Sequence, residues 1–344
     1  MSSNKKYGGA VSATLNGILD LFRKREPIGV LHEEDRIDGK KTMITGASSG
    51  LGLATAIELA RRGGDMILLC RSRVEETLEK VKRESGSETV RVVHVDLASY
   101  SSQIKALDEI ENLTSQLDIV VLNAAMVPSS ARKTQDGYDE MFTVNYLSKQ
   151  VWVDELRKRN LIRESQETGK TMPRIVFVSS ESHRSGKNLN PERLGEFEDY
   201  NAGKVIGLYG TYKLALNTLA VQLDRELNDS RSQGFGDKLA EKPAAGVGVY
   251  ALCPGPVASN IARESPTLFK PVLKLVFNAF FSSPEKAAVP VVYLCCSPDL
   301  NGQSGVYLHL MAHKAMDERA LDPAQAAVIQ ERARELIAEI AESR

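Results

Sequence analysis

Short apolar runs alternate with longer amphipathic segments from about residue 41 to residue 310. The apolar runs have the length and the composition of buried strands: Thr42–Thr45, Met66–Cys70, Val90–Val95, Ile119–Leu122, Arg174–Val178, Gly248–Cys253 and Val306–Leu308. The segments between them place apolar residues at helical spacing: Leu51–Arg62, Val74–Glu84, Ser101–Leu113, Tyr138–Asn160 and Tyr209–Leu227. The alternation predicts a single α/β domain, doubly wound around a seven-stranded parallel sheet in the Rossmann manner.

Helical extensions are predicted at both ends of this domain. We assign residues 1–38 to an N-terminal extension, 39–315 to the Rossmann domain and 316–344 to a C-terminal helical tail. Apolar residues between Val11 and Phe22 fall near helical spacing, which predicts a helix on the domain, on a partner subunit or on a membrane surface. Pro323–Arg344 is dense in Ala, Glu and Arg, and we expect it to pack against the body.

Composition narrows the function classes. The net charge is −1 and no block of like charges occurs, so nucleic acid is not an expected partner. The N-terminus lacks a secretory signal and no apolar run is long enough to span a bilayer, so we expect a cytoplasmic protein with at most peripheral membrane contact. The four cysteines have neither zinc-site nor disulfide spacing, so no metal site is expected.

A glycine-rich turn follows the first strand and opens the first helix. Gly46, Gly50 and Gly52 provide positive φ angles and room for a close phosphate, and the helix N-terminus offers free N–H groups. Ser48, Ser49 and Leu51 lie in the same turn and complete the predicted phosphate site. The strand–turn–helix context predicts dinucleotide binding.

The ends of the next strands indicate which dinucleotide binds. The second strand ends without an acid and is followed by Arg71 and Arg73, whose guanidinium groups suit a ribose 2′-phosphate and so favour NADP(H). The alternative is that both arginines are ordinary surface residues. Further cofactor contacts are expected where the third and fourth strands end, at Asp96, Leu97, Asn123, Ala124 and Ala125.

A tyrosine and a lysine lie one helical turn apart on the fifth helix. Tyr209 and Lys213 share a helix face, so the ammonium can favour the phenolate and bring proton exchange with a substrate oxygen closer to neutral pH. Tyr200 and Lys204 have the same spacing but precede a glycine-rich segment that is a poor helix, and Tyr212 points about 100° away from Lys213. Tyr209 is therefore the preferred general acid.

Two further polar residues complete the candidate site. Ser180 ends an apolar strand at the cofactor crevice and can hold the reacting oxygen, whereas Ser179 should face the other way. Asn145 lies in an apolar helix, where a buried amide needs partners. It serves either a structural bond that bends the helix or a water near Lys213.

Together these motifs resemble the short-chain dehydrogenase/reductase family from about Gly39 to Leu310. The resemblance implies a catalytic tetrad of Asn145, Ser180, Tyr209 and Lys213, and a nicotinamide-flanking turn at Pro254, Gly255 and Val257. It also implies a homodimer or homotetramer formed through the Tyr138–Asn160 and Tyr209–Leu227 helices. Leu122, Ala125 and Tyr212 depart from the family pattern without removing a tetrad group.

The Cys-Arg after the second strand and the longer insert that begins at Ser180-Glu-Ser-His183 look like the retinol dehydrogenase-like branch. The stretches Gly46–Ala56, Asp96–Ser99 and Ser304–Tyr307 are also similar to light-dependent protochlorophyllide reductase. Both imply a large lipophilic carbonyl or alcohol substrate. The apolar segment 265–281 could wall such a substrate, or it could be a core helix or a dimer contact. Two alternatives to a dark carbonyl reductase stay open: a light-dependent reductase, and an NADP(H)-binding scaffold without catalysis.

Overall fold

The computed structural model describes residues 26–165, 172–201, 203–228, 234–236, 246–257 and 282–344. The predicted N-terminal helix and the predicted wall segment 265–281 lie outside these residues. Within them, no helix is both long enough and apolar enough to cross a membrane. The domain boundaries at residues 38 and 315 stay a prediction.

An eight-stranded sheet forms the centre of the fold, in the order β3-β2-β1-β4-β5-β6-β7-β8. The strands are β1 Lys41–Thr45, β2 Asp65–Cys70, β3 Val90–His94, β4 Ile119–Leu122, β5 Arg174–Val178, β6 Gly248–Cys253, β7 Val306–His309 and β8 Ala312–His313. The first seven are parallel, which confirms the predicted doubly wound sheet. The antiparallel β8 was not predicted, because two residues carry no readable alternation. The order reverses between β1 and β4, where parallel α/β sheets bind their ligands.

Helices cover both faces of the sheet. The longer ones are α1 Gly50–Arg61, α2 Val74–Ser85, α3 Tyr100–Leu113, α4 Ser148–Lys158, α5 Val205–Leu227, α6 Pro284–Cys296 and α7 Pro323–Glu342. Successive strand residues point to opposite faces, so that Met43 joins the core under α3, α4 and α5 while Ile44 joins the core under α1 and α6. Burial on both faces explains why the strands are continuous apolar runs.

The predicted helix Tyr138–Asn160 is interrupted. A one-turn helix, Glu140–Phe142, leads into a π-helix, Thr143–Leu147, before α4 begins at Ser148. A π-turn widens the helix by one residue and is common at functional sites. The single regular helix was therefore a wrong prediction, and the candidate residue Asn145 lies at the interruption.

The tail helix α7 packs against α4 and α5, as expected of the C-terminal segment. It buries Ile329, Ala333 and Leu336 in the core beneath it. The Arg334 guanidinium also lies 3.2 Å from the Asp154 carboxylate of α4. α4 and α5 are also the helices through which assembly was expected, and the oligomeric state stays a prediction.

Candidate active site

The glycine-rich turn is shaped to admit a phosphate group. Gly46 and Gly50 have φ angles of 71° and 56°, which residues with a Cβ rarely adopt. A Cβ on Gly52 would lie 2.2 Å from the Gly46 carbonyl oxygen and 2.5 Å from Nδ2 of Asn123. Ser49 precedes α1 without a side-chain capping bond, so the helix N–H groups face the cleft. This cradle fits the pyrophosphate of a dinucleotide.

One cleft of about 470 Å³ runs along the carboxyl edge of the sheet from this turn. It brings together every residue that the sequence analysis assigned to cofactor binding. It also brings together three of the four predicted catalytic residues, Ser180, Tyr209 and Lys213. The fourth, Asn145, lies behind the wall of the cleft. Within the described residues, no cluster of side chains could hold a metal ion.

Two arginines lie at the end of the cleft beyond β2. The Arg71 side chain is 61% exposed, and its Nη1 lies 3.7 Å from the Glu140 carboxylate. Nε of Arg132 donates to the same carboxylate at 2.6 Å. Arg132 lines the cleft but was not predicted, because it lies in the loop after β4, about sixty residues from Arg71 in sequence. The two guanidinium groups outnumber the one carboxylate that they share, so these three side chains carry a net positive charge.

The segment after β4 ties the floor of the cleft to the glycine-rich turn. Nδ2 of Asn123 donates to the Thr45 carbonyl at 2.9 Å, and the N–H groups of Asn123 and Ala124 donate to Oγ1 of Thr45. The Asn123 side chain thus braces the turn, and Asn123 also lines the cleft. Its direct contact with a cofactor stays a prediction. At β3, the Asp96 carboxylate accepts the Ala98 N–H at 3.0 Å while Asp96 and Leu97 line the cleft.

Tyr209 and Lys213 lie side by side on α5. The Lys213 side chain is buried; its Nζ donates to the Val178 carbonyl at 2.8 Å and lies 5.6 Å from the centroid of the Tyr209 ring. Burial lowers the pKa of Lys213 to about 7, although the nearby Cys253 thiol opposes this shift. Burial raises the pKa of Tyr209 above its ordinary value, and the Ser180 hydroxyl opposes this shift only in part.

The expected lowering of the Tyr209 pKa by Lys213 is therefore not what this structure shows. Two causes account for the difference. The ammonium is directed at the Val178 carbonyl rather than at the phenol, and burial disfavours the charged forms of both groups. Tyr209 is accordingly a protonated phenol at neutral pH, which is the form that can donate a proton.

The competing tyrosines lie outside the cleft. Tyr212 is buried against Phe142, with the ring centroids 5.5 Å apart. Tyr200 is buried before α5, where burial and then the charge of Asp139 raise the pKa of its phenol. Ser179 lines the cleft together with Ser180, contrary to the strict alternation of a strand, because β5 ends at Val178. Within the described residues the buried Ser179 hydroxyl has no partner, whereas the Ser180 hydroxyl donates to Oγ of Ser182 at 3.1 Å.

Asn145 is a structural clamp in this structure. Its Oδ1 accepts the Met126 N–H and its Nδ2 donates to the Met126 carbonyl, both at 2.8 Å. Each end of the amide makes one of these bonds, which is the structural bond that the sequence analysis gave as one alternative. The other alternative, a water near Lys213, stays a prediction. Lys149, one turn later and also buried, was not predicted. A lysine inside an apolar helical stretch was the available signal.

The turn after β6 forms the opposite wall of the cleft. Gly255 has a φ of 76°, and a Cβ there would lie 2.7 Å from Cδ2 of Leu310. Pro254 and Val257 line the cleft with it. Cys253 is a lining residue that the sequence analysis missed, and burial raises the pKa of its thiol to about 11.

Comparisons with known proteins agree with this geometry. A family model described as short chain dehydrogenase matches residues 40–191. Retinol dehydrogenase 14 of Homo sapiens is 33% identical over 90% of this chain and 93% of its own length, and human retinol dehydrogenase 13 is 30% identical over 95% and 91%. The fold is similar to that of an uncharacterized protein from Mycobacterium paratuberculosis, with a TM-score of 0.64 and 24% identity over 89% of this chain and 96% of that one.

Proposed function

Since the chain belongs to the short-chain dehydrogenase family and has retinol dehydrogenases among its relatives, we propose that it is an NADP(H)-dependent oxidoreductase. It moves a hydride between nicotinamide and the carbonyl or alcohol carbon of a lipophilic substrate. One observation carries the proposal: a protonated phenol, a buried amine and a phosphate cradle share a single cleft.

The preference for NADP(H) is supported by the charge at the far end of the cleft. Arg71 and Arg132 flank the Glu140 carboxylate near the end of β2, and the residues that directly follow β2 in sequence, Arg71-Ser72-Arg73, include no acid. An acid there would bond the ribose 2′-hydroxyl of NAD, whereas guanidinium groups suit a 2′-phosphate. A phosphate dianion attracts both arginines more strongly than one carboxylate does.

The proton chemistry is assigned to Tyr209 and Lys213. Bound in the cleft, NADP(H) supplies or accepts the hydride. In reduction, the Tyr209 hydroxyl, which its raised pKa keeps protonated at neutral pH, donates its proton to the substrate oxygen. Lys213, with a pKa of about 7, is protonated in about half of the molecules at neutral pH, and this protonated form stabilises the phenolate that forms. Ser180 helps to hold the substrate oxygen.

A lipophilic substrate is supported by the cleft walls and by the relatives. Met126, Val127, Pro256 and Val257 present apolar surface beside the catalytic groups. Retinol, in the names of the relatives, is a lipophilic alcohol. Apolar walls contribute binding energy in proportion to the substrate area that they remove from water.

Replacing Tyr209 tests the proposal, and Tyr212 supplies a matched control on the same helix. Tyr209→Phe should reduce turnover by about 10²–10⁴-fold and leave the NADPH dissociation constant nearly unchanged. Tyr212→Phe removes a hydroxyl outside the cleft and should retain turnover. Both are measured in the dark by the absorbance of NADPH, and of NADH for comparison, with a series of lipophilic aldehydes and ketones.

Three outcomes would count against parts of the proposal. Near-normal turnover in Tyr209→Phe rejects the catalytic assignment. Binding of NADPH without oxidation by any carbonyl favours the scaffold alternative. Turnover that requires illumination favours the light-dependent reductase.

A further inference from the structure

Lys149 is a buried amine next to the cofactor cleft. Only 1% of the residue is exposed. Its Nζ donates to the Ala124 carbonyl at 2.7 Å, to Oγ of Ser148 at 3.3 Å and to the Val144 carbonyl. All three acceptors are uncharged. The amine therefore bridges the π-helix, through Val144, and the segment after β4, through Ala124.

The surroundings of this amine make it a costly residue to bury. Among the described residues, no carboxylate lies within ion-pair distance of Lys149, and its electrostatic neighbour is Lys213. Burial and then the like charge of Lys213 lower the pKa of Lys149 well below its ordinary value. An apolar side chain of similar length would fill the same space without this desolvation cost. Packing alone thus does not account for a lysine at this position.

The Lys149 amine bonds to the segment after β4, and the side chain of Asn145 bonds to the same segment. Asn145, one helical turn before Lys149, clamps both backbone groups of Met126. Together the two side chains fix the first and last residues of the segment Ala124–Met126, all of which lines the cleft. We call this segment the β4 wall. It continues from Asn123 at the glycine-rich turn, and its anchoring amine lies near Lys213.

We propose that Lys149 is a positioning residue for hydride transfer: its amine fixes the Ala124 carbonyl and so holds the β4 wall against the nicotinamide half of the dinucleotide. This inference rests on the proposed function. It assigns Lys149 no contact with substrate, since the amine is turned into the protein and acts through the backbone of Ala124. A displacement of about 1 Å at the reacting centre can cost on the order of 10²-fold in rate.

The test compares Lys149→Met with Val153→Ala. Val153 is buried on the same face of α4 one turn later and does not line the cleft, so its truncation destabilises the helix without touching the β4 wall. The first readout is amide hydrogen exchange in the full chain without cofactor. Lys149→Met should speed exchange at residues 124–127 by about tenfold, as expected for loss of one buried hydrogen bond. Val153→Ala should leave that segment unchanged relative to the rest of the domain.

The second readout separates binding from chemistry. Lys149→Met should lower kcat by about 10-fold to 100-fold, while the NADPH dissociation constant stays within about threefold because the phosphate cradle and Arg71 are intact. The primary isotope effect on kcat with deuterated NADPH should rise, since the chemical step becomes slower. Val153→Ala should change neither quantity.

Equal exchange at residues 124–127 in the two variants overturns the proposal, and so does an unchanged kcat with an unchanged isotope effect. If Lys149→Met does not fold, Lys149→Gln allows the same comparison, because it keeps an N–H donor but withdraws it by one atom. Absence of NADPH-dependent turnover in the unaltered protein overturns the proposed function instead. The exchange comparison still decides whether Lys149 holds the β4 wall.

Discussion

Replacing His183 by Asn tests how strongly a buried, neutral imidazole connects the segment after β5, at Ser180, to the C-terminal segment at Asp317. His183 is fully buried, with Nδ1 2.7 Å from the Ser180 carbonyl and Nε2 3.2 Å from the Asp317 nitrogen. The Asp317 N–H can only donate, so Nε2 accepts and Nδ1 carries the proton. Protonation of Nε2 would break the bond to Asp317.

The expected loss of unfolding free energy follows from the shift in the His183 pKa. Burial, together with the charge of Arg184, lowers the pKa from 6.5 to about 4, although Glu181 and Asp317 oppose the shift. Because the folded pKa is the lower one, the unfolded chain binds more protons between these values. The contribution of neutral His183 to the free energy of unfolding is fully present above pH 6.5 and is lost as the pH falls towards 4. At about 1.4 kcal/mol per pKa unit, the loss is about 3 kcal/mol.

The assay is urea unfolding of the wild type and of His183→Asn between pH 7.5 and pH 4. Other groups also titrate over this range, so the informative quantity is the difference in unfolding free energy between the two proteins. That difference should shrink by about 3 kcal/mol on acidification. His94→Asn, which alters an exposed histidine on β3, should follow the wild type throughout. Parallel curves for the wild type and His183→Asn would refute the reasoning.

Three further predictions concern the cradle, the cofactor preference and the tail. Gly52→Ala should weaken NADPH binding at least about tenfold in a fluorescence titration, because a Cβ there would lie 2.2 Å from the Gly46 carbonyl oxygen. In the control variant Gly207→Ala the new Cβ has open space around it, and this change should stabilise α5 by up to about 1 kcal/mol. Arg71→Ala should raise the dissociation constant of NADPH but not that of NADH; equal effects on both would contradict the 2′-phosphate assignment. Leu336→Ala on α7 should cost about 2–5 kcal/mol in urea unfolding, whereas the exposed Val328→Ala should change stability by less than about 0.5 kcal/mol.

The sequence by itself determined the features that depend on near neighbours in the chain. Apolar runs bounded by turns located seven parallel strands, because strands buried on both faces must be apolar throughout. Glycines at fixed spacing located the phosphate cradle, and a four-residue spacing placed Tyr209 and Lys213 on one helix face. Each of these patterns follows from the local geometry of a strand, a turn or a helix.

Only the tertiary structure decided which distant residues meet at the cleft. Arg132 joins Arg71 through Glu140, and Lys149 reaches Ala124 across about twenty-five residues of sequence. The pKa values of Tyr209 and Lys213 moved in directions set by burial, which helix spacing does not reveal. The π-helix and the packing of α7 over α4 and α5 likewise depend on partners remote in the chain. Local periodicity specifies which face of a helix or strand is buried. Which groups lie opposite that face, and how low the dielectric constant around them is, is decided only when the elements pack together.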